Sequence, residues 1–159
     1  MEDIVLKVLK VVIVAALPVI EVRGSIPLGI LVYNLNPILV FTASFIGNII
    51  PAPLILTLLG RIERILVRFN TTKNIYVKYI NSVRARSKRY IDRYGFIGLT
   101  LFVALPLPST GVWTGSIVAY IFGVDFWRAL KAIILGSLIA STIVTTLTLT
   151  ANITLKVIV

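Results

Sequence analysis

Neither cysteine nor histidine occurs anywhere in this 159-residue chain. Without thiols there is no disulfide framework and no thiolate metal site. Without imidazole the commonest general base and metal ligand is gone. Carboxylates are scarce too, six against sixteen basic residues, and they are spread out rather than clustered. No metal, no cofactor and no enzymatic activity are expected of such a chain.

What it holds instead is apolar sequence. The chain is 58% hydrophobic with a mean hydropathy of +1.00, well above soluble domains, in which about half the residues are apolar. An all-α integral membrane protein of one domain, residues 1–159, is the expected class. The first residues, Met1-Glu-Asp-Ile4, put no basic region before the first apolar run, so a cleaved signal peptide is not expected.

The stretch from Ala16 to Gly29 reads Ala-Leu-Pro-Val-Ile-Glu-Val-Arg-Gly-Ser-Ile-Pro-Leu-Gly. It sets Glu21 and Arg23 in apolar surroundings between Pro18 and Pro27, with Gly24 beside them. A charge at mid-bilayer costs about 2.5–3.5 kcal/mol on insertion scales, so such residues face a protein interior or an aqueous pathway. Proline removes a backbone donor, and the freed groups need partners within a protein-lined cavity. Glu21 and Arg23 are therefore candidate substrate- and ion-binding residues at a broken helix. A purely structural ion pair is the competing reading, although residues two apart do not share a helical face.

The rest of the chain is read as crossings and returns. Residues 4–20 reach about 25 Å as a helix and 24–33 about 15 Å, so the pair makes a re-entrant hairpin over 4–33 rather than two spans. Residues 37–60 are long enough to cross, with Asn48 as a polar lining group and Pro51 and Pro53 as bends. Residues 61–93 carry ten basic and two acidic residues, a local charge of 10 − 2 = +8 out of +10. Aromatic and aliphatic residues recur there at helical steps, predicting a basic amphipathic cytoplasmic helix that touches anionic lipid. Nucleic-acid binding is not expected. Residues 94–123 form a second short hairpin broken at Pro106, Pro108 and Gly111, with Ser109, Thr110, Trp113 and Thr114 offering polar groups at its tip. Residues 126–150 form the second crossing helix.

The halves correspond. Ala16-Leu17-Pro18 matches Ala104-Leu105-Pro106 at an offset of 88, and Gly47-Asn48 matches Gly136-Ser137 at an offset of 89. A hairpin that returns to its own side plus one crossing helix makes an odd number of crossings, so the two repeats (1–60 and 94–159) must be inverted. Both termini then lie outside and 61–93 inside. Inverted repeats with broken helices meeting near the midplane are a secondary-transporter architecture.

Three stretches resemble one family. They are Pro18-Val-Ile-Glu-Val-Arg-Gly-Ser-Ile-Pro-Leu-Gly29, Gly47-Asn-Ile-Ile-Pro-Ala-Pro53, and Tyr94-Gly-Phe-Ile-Gly98 running through Ala104 to Gly115. They look like the small multi-drug export membrane proteins, a family thought to be distantly related to the DedA/VTT group. That relation implies paired re-entrant hairpins, and for some DedA members the flipping of polyprenyl-phosphate carrier lipids, for VTT members lipid scrambling.

The expected function is a cell-membrane transporter of an anionic lipid-linked amphiphile, with Arg23 on the phosphate and Glu21 exchanging protons. The alternatives are an exporter of cationic amphiphilic drugs through Glu21, and a non-transporting scaffold. A homodimer would help bury the polar tips. Because the chain has no cysteine, topology is testable on a clean background: Asn70→Cys in intact cells should react with a membrane-impermeant maleimide only after permeabilisation. Labelling of intact cells would reverse the orientation.

Overall fold

The computed structural model describes residues 3–66, 78, 81–82, 95–107 and 110–158, with side chains through 59 in the first half and through 153 in the last helix. Every regular element among them is helical: α1 (Ile4–Ala16), α2 (Glu21–Pro27), a π-helical turn (Leu28–Val32), α3 (Pro37–Ile49), α4 (Pro51–Leu66), α5 (Gly95–Ala104), α6 (Val112–Ile121) and α7 (Phe126–Ile158). Two stretches are long and apolar enough to cross a membrane, Pro37–Leu59 over α3 and α4, and Phe126–Ile153 in α7. At about 1.5 Å per residue their 23 and 28 residues reach roughly 35 and 42 Å, against a hydrocarbon core of about 30 Å. The outer surface fits that setting, with Val5 72%, Ile38 75% and Leu147 62% exposed, an apolar coat that water would not tolerate.

Local chemistry sets the boundaries. α1 ends at Ala16, short of the expected 4–20 helix, because Pro18 biases Leu17 towards extended backbone. Val19 and Glu21 then take positive φ, at 76° and 48°, to turn the chain back. Gly24 and Pro27, expected to break the helix, lie inside α2 instead. Gly24 is needed for packing, since a Cβ there would strike Ile20. Pro27 lacks the N–H of its turn, and the chain absorbs the loss by widening into the π-turn that follows. Asn36 caps α3, its Oδ1 accepting from Ile38 N at 2.9 Å. Ile50 keeps helical backbone between α3 and α4, at φ −50° and ψ −43°, so Pro37–Leu59 runs on as one span, with the bonds that Pro51 and Pro53 cannot donate missing at the join. The second crossing helix runs past the expected 150, to Ile158. Of the basic connector, only α4's continuation to Leu66 and isolated positions are described; the expected amphipathic helix over 61–93 otherwise lies outside the described residues.

Glycine contacts fix how the helices run. A Cβ on Gly29 would meet Val40 and Val11, and one on Gly47 would meet Val12 and Ala15. So α1 and α3 run the same way, with α2 antiparallel beside them. Gly136 of α7 is seated on the Thr100 carbonyl and Val103 of α5. The partners of Gly47 and Gly136 are offset by the same 88 residues: 100 − 12 and 103 − 15. At the centre, Asn48 Nδ2 donates to Ser137 Oγ at 2.9 Å. Beyond it, Val40 and Ala43 share a core with Ala140 and Val144, so α3 and α7 cross antiparallel.

Each half completes its core with a piece of the other. Helices α1, α2 and α3 close over Ala140 and Val144 of α7, while α5, α6 and α7 close over Ala52 of α4. Helix α2 packs on α7, and α6 on α4. Overpacking such contacts costs about 1–3 kcal/mol each. Gly47→Val and Gly136→Val should each lower the thermal unfolding midpoint of detergent-purified protein, whereas Val5→Leu, at a side chain 72% exposed, should do so far less.

Candidate functional site

The two breaks in the chain, Leu17–Ile20 and Leu105–Gly111, come together. Each leaves helix ends whose backbone groups have no helical partner, and each set is satisfied from the other half. Glu21, only 3% exposed, sits over the start of α6. Its Oε1 accepts from Trp113 N at 3.3 Å, and the Val112 N–H also faces the carboxylate. The N-cap of α6 is Gly111, at φ 124° and ψ −165°, a conformation essentially confined to glycine. A Cβ there would collide with the Glu21 carboxylate. Gly111 thus opens the space through which a carboxylate from another helix takes the N-cap's place. A negative group at a helix N-terminus is also favoured by the helix dipole.

Arg23 does the opposite job. One guanidinium nitrogen donates to the Thr110 carbonyl at 2.7 Å, the Thr110 hydroxyl at 2.8 Å and, more weakly, the Leu105 carbonyl at 3.3 Å. These acceptors belong to the turn that follows α5. Thr110 braces that turn, its Oγ1 reaching the Leu105 and Leu107 carbonyls at 2.6 and 2.8 Å. The third tie runs back: Trp113 Nε1 donates to the carbonyl of Ala16, the last residue of α1, at 3.1 Å. Residues two apart diverge on α2, so the carboxylate serves a positive helix end and the guanidinium serves carbonyls.

The expected site residues therefore divide. Glu21, Arg23, Thr110 and Trp113 meet at one junction, with Gly111 between them. Thr114 is half-buried on α6, and no hydrogen bond ties it to the junction among the described residues. Asn48 is buried at the α3/α7 crossing with Ser137. Ser109 and Pro108 lie outside the described residues. Pro106 sits in the turn after α5. Sequence reasoning missed Ser25 and Ser44, both fully buried; nothing in their apolar neighbourhoods marks a lone serine. It also missed the Ala16 carbonyl as the indole's partner. No group of three or more carboxylates, histidines or cysteines that could hold a metal occurs among the described residues.

With this geometry in view, the comparison with known families is decisive on kinship. The family model described as "Putative small multi-drug export protein" matches residues 21–143, from the buried carboxylate through most of the last helix. The chain belongs to that family. No curated protein and no solved structure matches it. The family's name points to an exporter in a membrane, in keeping with the two crossing helices.

The junction makes two graded predictions for this family member. Trp113→Phe keeps the ring and removes one hydrogen bond, worth about 1 kcal/mol net. Arg23→Ala strips donors from several acceptors and should cost more, roughly 1–3 kcal/mol. Thermal unfolding in detergent should rank them in that order, and Arg23→Lys should recover only part of the loss, since lysine's flexible stem does not hold its ammonium where the rigid planar fork holds the bonding nitrogen.

Proposed function

We propose that the protein is a membrane transporter that moves an anionic amphiphile, of the polyprenyl-phosphate kind, between leaflets at the Glu21–Arg23–Gly111 junction. The observation that carries this reading is that an anion-binding arrangement is already assembled there and already filled. The α6 N-terminus offers backbone N–H groups and the positive end of a dipole, with a guanidinium on the same short helix as the occupying carboxylate. A helix N-terminus with a nearby arginine is a ready acceptor for phosphate.

Glu21 is the resident occupant. When it takes up a proton, its charge disappears and the α6 N–H groups become free to take a phosphate head group, which Arg23 could then reach only by giving up its ties to Thr110 and Leu105. When the head group leaves, the carboxylate returns. The ionised carboxylate and the phosphate thereby compete for one place, so substrate binds only when Glu21 holds a proton, which is the minimum that coupling requires.

The same reading takes the chain as two inverted repeats, each a re-entrant hairpin over 4–33 or 94–123 plus one crossing helix. Its supports are the shared offset of the Gly47 and Gly136 contacts, the antiparallel α3/α7 crossing at the equivalent residues Asn48 and Ser137, and the exchange of core residues between halves. Alternating access would rock one half against the other about that crossing. The basic 61–93 segment would hold anionic lipid on the cytoplasmic side, and a second copy of the chain could shield the apolar tips. The relation to DedA/VTT proteins belongs to this reading too.

The competing reading is export of cationic drugs, in keeping with the family's name; there Glu21 would alternate between proton and drug, and Arg23 would be dispensable. Proteoliposomes carrying a fluorescent short-chain polyprenyl phosphate separate the two. Wild type should flip it, with loss of at least about tenfold, equivalent to 1.4 kcal/mol, in Arg23→Ala and Glu21→Gln. Proton-driven efflux of a cationic dye that survives Arg23→Ala, with no lipid flipping by folded wild type, would sink the anionic reading in favour of the drug exporter.

A further inference from the structure

Helical serines and threonines in this chain mostly hand their hydroxyl proton to the carbonyl one turn back. Ser116 gives it to Val112, Ser141 to Ser137, Thr100 to Phe96 and Thr148 to Val144, at 2.7–3.0 Å. Ser25, Ser44 and Thr145 do not. The Ser25 and Ser44 hydroxyls are fully buried and find no partner among the described residues, and the same is true of Asn48 Oδ1 in a side chain 1% exposed; Thr145 Oγ1 and Arg23 Nε are the other two buried atoms without one. Leaving a buried polar atom unsatisfied costs about 1–3 kcal/mol. Three of them need a common explanation.

The helix register brings them together. Gly29 of the returning segment lies against Val40 of α3. Stepping back by one turn of four on α2 and forward by four on the antiparallel α3 pairs Ser25 with Ser44, then Glu21 with Asn48. Helix α7 packs on both α2 and α3. The amide nitrogen of Asn48 is already spent on Ser137, which fixes the carbonyl oxygen as the free atom. The column is closed one turn further on, where Val40 leaves no room for even a Cβ on Gly29. Its free atoms are oxygens that can all act as acceptors.

We propose that this α2/α3/α7 column binds one monovalent cation of the sodium class, held by Asn48 Oδ1 and the Ser25 and Ser44 hydroxyls. Hard cations take oxygen ligands, and three neutral oxygens near one carboxylate suit a single charge. The Glu21 carboxylate lies one turn from Ser25 on the same helix, so an ion here would stand between the core of the first half and the junction. The site rests on the register and the unpartnered atoms, not on the identity of any transported molecule.

The test needs no substrate. Purified full-length protein should bind 22Na+ saturably at about one ion per chain, with choline failing to compete. Ser25→Ala with Ser44→Ala should weaken binding at least about tenfold, while Ser116→Ala, whose hydroxyl serves its own backbone, should leave it unchanged. Thermal unfolding supplies the second readout: sodium in place of choline should raise the midpoint of wild type and not that of the double variant. Equal midpoints in sodium and choline for wild type, or no saturable 22Na+ binding, would overturn the proposal. Lipid flipping that persists without sodium binding would leave the transporter reading intact and remove only the ion.

Discussion

Everything in this protein depends on how a helix interrupted in lipid satisfies its ends. A broken helix exposes N–H groups on one side of the break and carbonyls on the other, and the bilayer core offers no water for either. This chain breaks twice and uses each break to cap the other. Glu21 takes the donors at the start of α6, Arg23 takes the acceptors after α5, and Trp113 returns a donor to the end of α1. The exchange of Ala52 for Ala140 and Val144 between the two cores applies the same rule to apolar surface.

That dependence bears on how function arises. A carboxylate that caps a helix is part of the architecture, and a carboxylate that can leave is a switch. Glu21 lies on a residue of positive φ, after Val19, a β-branched residue also at positive φ. Such conformations cost about 1–3 kcal/mol each and persist only where the surroundings impose them. The junction is therefore held by its polar ties rather than by relaxed local backbone. Under the proposed function, stability and transport would draw on one set of hydrogen bonds, so substitutions there should be judged by transport and unfolding together.

The sequence made much of this legible. Periodicity and length located both crossing helices, and charges stranded in apolar sequence singled out Glu21 and Arg23. The internal likeness of Ala16-Leu17-Pro18 to Ala104-Leu105-Pro106, and of Gly47-Asn48 to Gly136-Ser137, pointed at segments that pack alike. What stayed hidden was the consequence of register. Gly24 and Pro27 read as breakers because their types break helices, yet α2 absorbs both, one through contact with Ile20 and the other through a π-turn. Gly111 read as a hairpin residue. Its actual demand, room for a carboxylate arriving from 90 residues upstream (111 − 21), is a tertiary fact with no local trace.

The serines show the same limit most plainly. Along the chain, Ser25, Ser44, Ser116 and Ser141 are all single hydroxyls in apolar helices and cannot be told apart. Only the pairing of α2 with α3 separates them, because it decides whether a hydroxyl meets its own backbone or another helix's polar group. Small residues at membrane helix contacts commonly serve close approach alone, and Ser116 and Ser141 fit that role, with their protons returned to the backbone. Ser25 and Ser44 withhold theirs at the level where Asn48 also leaves an oxygen free. Close packing explains why such residues are small; it does not explain why three neighbouring acceptors forgo partners that their counterparts elsewhere in the chain take up.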